Sequence, residues 1–151
     1  MSVNLVRSTR LFPETGYAYA AKASAGDLIF TAGVCPLDKQ GKVVAPGDII
    51  AQTGLALANL RIALEDSGAT IEDVVKTTVY VASSDRGELA AVFDEVAAFF
   101  KDHDVPSTLL GVAVLGYTDQ LVEIEAIAVQ PAPAPAREAA ASHTRTSPAG
   151  E

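Results

Sequence analysis

The chain has 151 residues, of which 49% are apolar and 20% are charged, enough for one domain with its own core. Its formal net charge is −8, and the excess of acid falls within residues 1–130, so we do not expect a nucleic-acid partner. A single cysteine, Cys35, excludes an intrachain disulfide. No run of about 18 apolar residues and no basic-then-apolar leader is present, so we expect a cytoplasmic protein without a membrane partner.

Three short predicted strands open the chain: two of alternating residues at 3–7 and 17–22, and a mostly apolar one at 28–34. The turn residues Ala25, Gly26 and Asp27 precede the third segment, and the pattern predicts an antiparallel meander. Gly33 lies near the end of the third predicted strand. A glycine there either allows another group to approach the backbone closely or marks a bulge, and both readings stay open.

Two amphipathic helices are predicted, one on each side of a β-branched strand at 74–81. The first begins after an N-cap at Asp48 and ends before Gly68. Its predicted buried stripe consists of Ile50, Thr53, Leu57, Leu60 and Leu64. The second follows residues 83–87, and its broad apolar face consists of Leu89, Val92, Phe93, Val96, Phe99 and Phe100.

Two further strands are predicted within residues 105–129, joined by a turn at 116–119. In the second strand one face is wholly apolar: Val122, Ile124, Ala126 and Ala128. The other face carries Glu123 and Glu125, about 7 Å apart, among Leu121, Ile127 and Val129. Such an acid pair either faces water or lines a site or an interface, and alternation does not decide which glutamate would work there.

The predicted order, β-β-β-α-β-α-β-β, indicates an α+β fold with both helices on one face of a single mixed sheet. The apolar residues beside the acid pair then need a cover, which predicts a second subunit. From Pro131 onward large apolar residues cease and proline alternates with alanine. We therefore expect a folded domain at 1–130 and a disordered Pro/Ala-rich tail at 131–151.

The usual catalytic and cofactor patterns do not occur. One cysteine and two histidines show no metal-ligand spacing, and the glycines match no phosphate-binding loop, so neither metal nor cofactor is expected. What remains is the pair Glu123 and Glu125, the tyrosines and strand-end backbone. A carboxylate in a partly apolar cleft can position or deprotonate a water molecule.

Three separated blocks, DLIFTAG (27–33), VVKTTVY (74–80) and LVEIEAIA (121–128), closely resemble the RidA/YjgF family. The resemblance spans about residues 15–129 and implies a chorismate-mutase-like fold. It also implies a homotrimer with a barrel-like centre and small-molecule clefts at the subunit interfaces. The best-known activity of the family is hydrolysis of reactive enamines and imines, such as 2-aminoacrylate, to ketoacids and ammonia.

By this resemblance Glu125 is the residue that holds the attacking water and Tyr19 is the site tyrosine. The backbone of Gly33 and Val34 would approach the ligand from one subunit, and the strand start at 107–108 from its neighbour. The substrate-binding set implied in this way is Tyr19, Gly33, Val34, Phe93, Thr108, Leu109 and Tyr117.

The sequence departs from the family at the group that holds the substrate carboxylate. Thr108 stands where active deaminases have an arginine, and Phe93 replaces an asparagine. A threonine cannot replace a bidentate guanidinium, so the chain resembles a divergent subgroup with a less cationic cleft. Two functions stay open: hydrolysis of an enamine or imine other than 2-aminoacrylate, or a non-catalytic trimer that binds a metabolite or a pathway partner. Ribonuclease activity is disfavoured by the acidic body.

Overall fold

The computed structural model describes residues 3–12, 16–24 and 26–130, and the predicted tail at 131–151 lies outside them. The elements are β1 (Val3–Val6), β2 (Ala20–Ala23), β3 (Asp27–Phe30), α1 (Ile49–Asp66), a 3₁₀ turn (Ile71–Asp73), β4 (Val74–Val81), α2 (Arg86–Phe100), β5 (Ser107–Gly111) and β6 (Val122–Gln130). This is the predicted order of strands and long helices. Among these elements no helix is long and apolar enough to cross a membrane.

The main sheet has four strands in the order β3-β6-β4-β5. Strands β4 and β5 run parallel, whereas β6 is antiparallel to both β3 and β4, so the sheet is mixed as predicted. Both helices pack on one face, where their apolar side chains share a core with alternate residues of β4 and β6. The members of this core include Leu57, Leu60, Leu64, Val79, Val92, Val96, Phe100, Val122, Ile124, Ala126 and Ala128. The α+β architecture and the apolar face of β6 are thereby confirmed.

The first two strands form a separate two-stranded antiparallel sheet, which we call the N-terminal hairpin (β1 and β2). Strand β3 pairs with β6 instead of β2, so the predicted meander is wrong at its last pairing. Alternation shows which face of a strand is buried but does not specify its neighbour. The predicted strand at 28–34 also ends early, at Phe30, and only Val34 returns to bridge with Ile124.

Helix α1 begins as predicted, because the Asp48 side chain accepts a hydrogen bond from the Ala51 amide at 2.9 Å. It ends at Asp66 with Ser67 as its C-cap, followed by Gly68 at a φ of 79°, a conformation that favours glycine. The predicted burial of Ile50 is wrong, since this side chain is 37% exposed. Gln52 is fully buried instead, because its amide makes hydrogen bonds inside the protein that satisfy both of its polar atoms.

The face of the main sheet opposite the helices is here called the open face. The residues whose side chains lie on it by strand alternation are Lys76, Thr78, Tyr80, Thr108, Leu110, Glu123, Glu125 and Ile127. No helix of the described residues packs there. Phe30, which pairs with Ile127, is 68% exposed, and Leu110 is 47% exposed. Two of the three apolar residues on which the predicted cover rested are covered by the chain itself, since Leu121 packs against the core and Val129 is 3% exposed. The predicted second subunit stays a prediction, which now rests on Phe30 and Leu110.

Candidate active site on the open face

A row of polar side chains crosses the open face. Thr78 in β4 is paired with Thr108 of β5 on one side and with Glu125 of β6 on the other. Directly paired residues on adjacent strands point to the same face, so these three side chains are neighbours. The register therefore places Glu125, the predicted catalytic residue, in a partly exposed position beside two hydroxyl groups.

One oxygen of Glu125 is held by a tyrosine. The hydroxyl of Tyr80 donates to Oε1 of Glu125 at 3.0 Å, although Tyr80 lies directly opposite Glu123 in the strand register. This bond to the carboxylate is the main reason that the pKa of Tyr80 is raised, with burial adding to it. Within the described part of the chain Oε2 of Glu125 accepts no hydrogen bond, so it is the oxygen available to a water molecule.

The neighbouring glutamate, Glu123, is held by contacts within its own chain. Oε2 of Glu123 accepts a hydrogen bond from Gln120 Nε2 at 3.0 Å and contacts the Cys35 thiol at 3.6 Å. A Cβ atom at position 33 would stand 1.8 Å from Oε1 of Glu123, so Gly33 allows the close approach of that side chain to the backbone. Oε1 of Glu123 also accepts no hydrogen bond within the described residues, but it lies against Gly33, whereas Glu125 lines a cavity on this face.

Lys76, a positively charged side chain that was not among the predicted site residues, also lies on the open face. The Nζ atom of Lys76 donates to Thr108 Oγ1 at 2.6 Å and to the backbone carbonyl of Thr77 at 2.8 Å. Burial lowers the pKa of Lys76, and the negative charge of Glu125 partly opposes that change. The available signal was a lysine inside the β-branched strand VVKTTVYV, where a charged side chain is unusual.

Lys76 and Glu125 line one cavity of about 130 Å³ on the open face. The remaining lining residues are Phe30, Thr31, Thr78, Ala126 and Ile127. This volume far exceeds the roughly 10–15 Å³ that a single water needs, so a small metabolite fits. A wider hollow of about 670 Å³ lies at the ends of β4 and β5, but neither glutamate lines it.

Two of the predicted site residues do not line this cavity within one chain. The hydroxyl of Tyr19, next to the N-terminal hairpin, donates to the carbonyl of Phe12 at 2.7 Å. Phe93 is on α2, on the other side of the sheet, where its ring packs edge-on against Tyr17 with centroids 6.2 Å apart. Their predicted contact with a ligand at a subunit interface stays a prediction.

The remaining predicted substrate-binding residues lie in different parts of the fold. Leu109 packs into the core on the helix side of the sheet. Tyr117 lies in the loop before β6, is 50% exposed, and its backbone amide donates to Gln120. Val34 exchanges two backbone hydrogen bonds with Ile124, at 2.7 and 3.1 Å. Of the predicted substrate-binding side chains, Thr108 is the one that the register aligns with Glu125.

No group of three or more His, Cys, Asp or Glu side chains within the described residues is arranged to hold a metal ion. The polar groups at the site are instead a carboxylate, an ammonium group and hydroxyl groups. This set suits acid–base chemistry on a small polar molecule.

Comparisons with known proteins agree on one family. The family model described as Endoribonuclease L-PSP matches residues 8–130. A RutC family protein of Pasteurella multocida is 38% identical over 117 residues, which cover 74% of this chain and 87% of that protein. The 2-iminobutanoate/2-iminopropanoate deaminase of Escherichia coli K12 is 36% identical over 116 residues, covering 74% of this chain and 87% of the deaminase. A crystal structure of a Rid family protein of unknown function from Yersinia pestis superimposes with a TM-score of 0.80 at 31% identity. That superposition covers 85% of this chain and 99% of the Yersinia protein.

Proposed function

The chain belongs to the RidA/YjgF family, and on that basis we propose that it hydrolyses a small imine or enamine metabolite on the open face. Glu125 holds the attacking water. The observation that carries the proposal is the environment of this carboxylate: one oxygen is held by Tyr80, and the group lines a cavity of metabolite size. The deaminase name of the Escherichia coli relative supports the same class of reaction.

In the proposed reaction Oε2 of Glu125 accepts a proton from water while the water oxygen bonds to the imine carbon. The carbon becomes tetrahedral and the former C=N π pair moves to nitrogen. Glu125 then returns that proton to the nitrogen, which gives a carbinolamine. Next Glu125 takes the proton of the new hydroxyl group and passes it to the nitrogen as the C–N bond breaks, so the nitrogen leaves as ammonia and the carbon keeps its oxygen as a carbonyl. The products are a carbonyl compound and ammonia, and the carboxylate ends in its starting state. An enamine enters the same sequence after it tautomerises to the imine.

We place this chemistry in a homotrimer whose neighbouring subunit covers the open face. The exposed Phe30 and Leu110 beside the cavity support such a cover, because exposed apolar patches of this kind mark interfaces. Tyr19 and the backbone of Gly33 and Val34 would then act across the interface from Thr108. The cavity on one chain is in this view half of the complete cleft.

A second candidate is a trimer that binds a metabolite in the same cleft without turning it over. Thr108 favours it, because a hydroxyl group replaces the guanidinium that would clamp a substrate carboxylate. The ribonuclease named in the family model has no such support here, since the net charge of −8 opposes binding of a polyanion.

Substitution of the two glutamates separates the candidates. We expect Glu125→Gln to lower kcat for ammonia release from 2-iminobutanoate by about 100-fold or more, because an amide cannot accept the proton from water. Glu123→Gln is the matched control on the same strand and face, and it should keep most of the activity. The measurement is ammonia released per unit time above the uncatalysed rate, with circular dichroism as a check on folding.

Equal activity of the two variants would contradict the role of Glu125. A wild-type protein that binds the product 2-oxobutanoate but releases no ammonia above background would instead support the non-catalytic candidate.

A further inference from the structure

A second hollow lies on the helix side of the main sheet, where α1, the 3₁₀ turn and the end of α2 meet. Its volume is about 300 Å³, which is within the range of small-molecule sites. The residues that line it are two cations, two acids, a threonine and an isoleucine: Arg61, Lys101, Glu65, Glu72, Thr70 and Ile71. None of them lines the cavity beside Glu125, so this hollow is separate from the candidate active site.

The guanidinium of Arg61 is held in place without an acidic partner. Arg61 and Glu65 are four positions apart on α1, a spacing at which opposite charges can pair, yet the described residues contain no ion pair between them. The Cζ atom of Arg61 lies over the ring of Phe99 instead, 4.8 Å from its centroid. Because contact with a ring does not occupy the N–H donors, they are available to an anion.

Lys101 enters the hollow from a backbone conformation that residues other than glycine rarely adopt. It is the C-cap of α2 and has a φ of 53°. Such residues persist where the surrounding structure holds them, and they cluster at ligand-binding sites. In the part of the chain that the structure describes, the Lys101 side chain forms no ion pair. The second cation of the hollow therefore also lacks an acidic partner.

The two acids place negative charge around the same hollow. A hydrogen bond from its own backbone amide lowers the pKa of Glu72, a bond with Thr70 adds to this, and the charge of Arg61 acts in the same direction. Glu72 is thus ionised at neutral pH. A small anion alone would meet Glu65 and Glu72, and a small cation alone would meet the two basic groups. A small zwitterion has a partner for each of its charges.

We propose that this hollow binds a free α-amino acid. The carboxylate of the amino acid lies between Arg61 and Lys101, and its ammonium group lies between Glu65 and Glu72, each held by charge-assisted hydrogen bonds. This inference goes beyond the proposed function and does not depend on it, because the hollow is on the other side of the sheet from Glu125.

The test compares L-alanine with two analogues that each carry one of its charges: propanoate, which lacks the ammonium group, and ethylamine, which lacks the carboxylate. Each is titrated into the ¹⁵N-labelled full chain, and the amide NMR signals report both affinity and location. We expect saturable binding of L-alanine with a Kd of about 1 mM or below, and binding about tenfold or more weaker for either analogue. The signals that move should belong to residues 61–72 and 99–102.

Substitutions in the hollow test the two halves of the site separately. We expect Arg61→Gln and Glu65→Gln each to weaken the binding of L-alanine by about fivefold or more. Arg61→Lys keeps the charge and should retain most of the affinity. Glu95→Gln is the matched control, since Glu95 is an exposed glutamate on α2 that does not line the hollow. The comparison of the three ligands on wild type remains decisive even where a variant does not fold.

Three results would overturn this inference. The first is no saturable binding of L-alanine up to about 20 mM. The second is equal affinity for L-alanine and propanoate, because the hollow would then be a site for anions. The third is binding that Glu125→Gln abolishes and Arg61→Gln leaves unchanged, because the amino acid would then lie on the open face.

Ammonia release from 2-iminobutanoate keeps this inference distinct from the proposed function. Hydrolysis without binding of L-alanine in the hollow overturns the inference alone. Binding in the hollow by a protein that releases no ammonia overturns the proposed hydrolysis alone.

Discussion

The thiol of Cys35 is a clear case of a single residue controlled by its contacts. Burial is the largest influence on it, and the nearby charge and acceptor of Glu123 act in the same direction, so the pKa of Cys35 is raised to about 11. A hydrogen bond from Gln120 works against them. The side chain is therefore a thiol at neutral and mildly alkaline pH, which makes it a poor nucleophile.

We expect Glu123→Gln to lower the pKa of Cys35, because it removes the negative charge beside the thiol. The pKa should fall only part of the way to its ordinary value of 9.0, since burial remains. The measurement is the rate of reaction with a disulfide reagent from pH 7 to pH 11. This rate increases as the thiol ionises, and in the variant the increase should begin at a lower pH than in wild type. Glu125→Gln, which does not contact Cys35, is the control. Superimposable rate profiles for Glu123→Gln and wild type would contradict this account.

The raised pKa also affects stability in a defined direction. The unfolded chain ionises Cys35 near pH 9.0, whereas the folded chain holds the proton until about pH 11. The unfolded state thus binds fewer protons in this interval, so the free energy of unfolding falls as the pH rises from 9 to 11.

At the scale of elements, one buried amide attaches helix α1 to the loop that leads into β6. Gln52 donates to the carbonyls of Ala45 and Asp119, at 3.2 and 2.9 Å, and accepts from the Leu121 amide at 2.8 Å. This contact sets where β6 begins, and β6 carries Glu125. The position of the carboxylate on the open face therefore depends on a polar residue on the opposite side of the sheet.

We expect Gln52→Leu to lower the free energy of unfolding by about 2–4 kcal/mol, because it leaves several backbone groups without partners in a buried place. Urea unfolding followed by circular dichroism measures this change. Gln40→Leu alters an exposed loop position, and its effect should stay within about 0.5 kcal/mol. A Gln52→Leu protein as stable as wild type would show that the amide is replaceable there by an apolar side chain.

At the scale of the whole molecule, the two faces of the main sheet have different surroundings. One is filled by α1 and α2, whereas the other presents Phe30 and Leu110 to solvent in a single chain. Burial of apolar area is the dominant favourable term in association, so this face favours contact with further copies of the chain.

We expect sedimentation equilibrium at micromolar concentration to give three times the chain mass of 15.6 kDa. Leu110→Glu places a charge on the open face and should shift the protein towards the monomer, because a buried unpaired charge opposes association. Ile62→Glu is the control, since Ile62 is 54% exposed on α1, away from the open face. A wild-type monomer, or equal dissociation by both substitutions, would contradict the predicted assembly.

Much of the local structure was predictable because it depends on neighbours in the chain. The N-cap at Asp48, the strand at 74–81 and the apolar face of Val122, Ile124, Ala126 and Ala128 follow from capping chemistry and from the two-residue period of strands. The same period placed Glu123 and Glu125 together on the other face. The burial of Gln52 in place of Ile50 was not predictable, because it requires hydrogen-bond partners 67 and 69 residues away.

The sequence by itself thus determined the order of the elements, the α+β class and a pair of candidate acids, because these depend on short-range periodicity. Only the tertiary structure decided that Glu123 is bound by Gln120 beside Cys35, that Glu125 is bound by Tyr80, and that Lys76 and Glu125 line one cavity. It likewise paired β3 with β6 and left the N-terminal hairpin as a sheet of its own. The physical reason is that strand order and register arise from long-range pairing, and a shift in either changes which side chains meet.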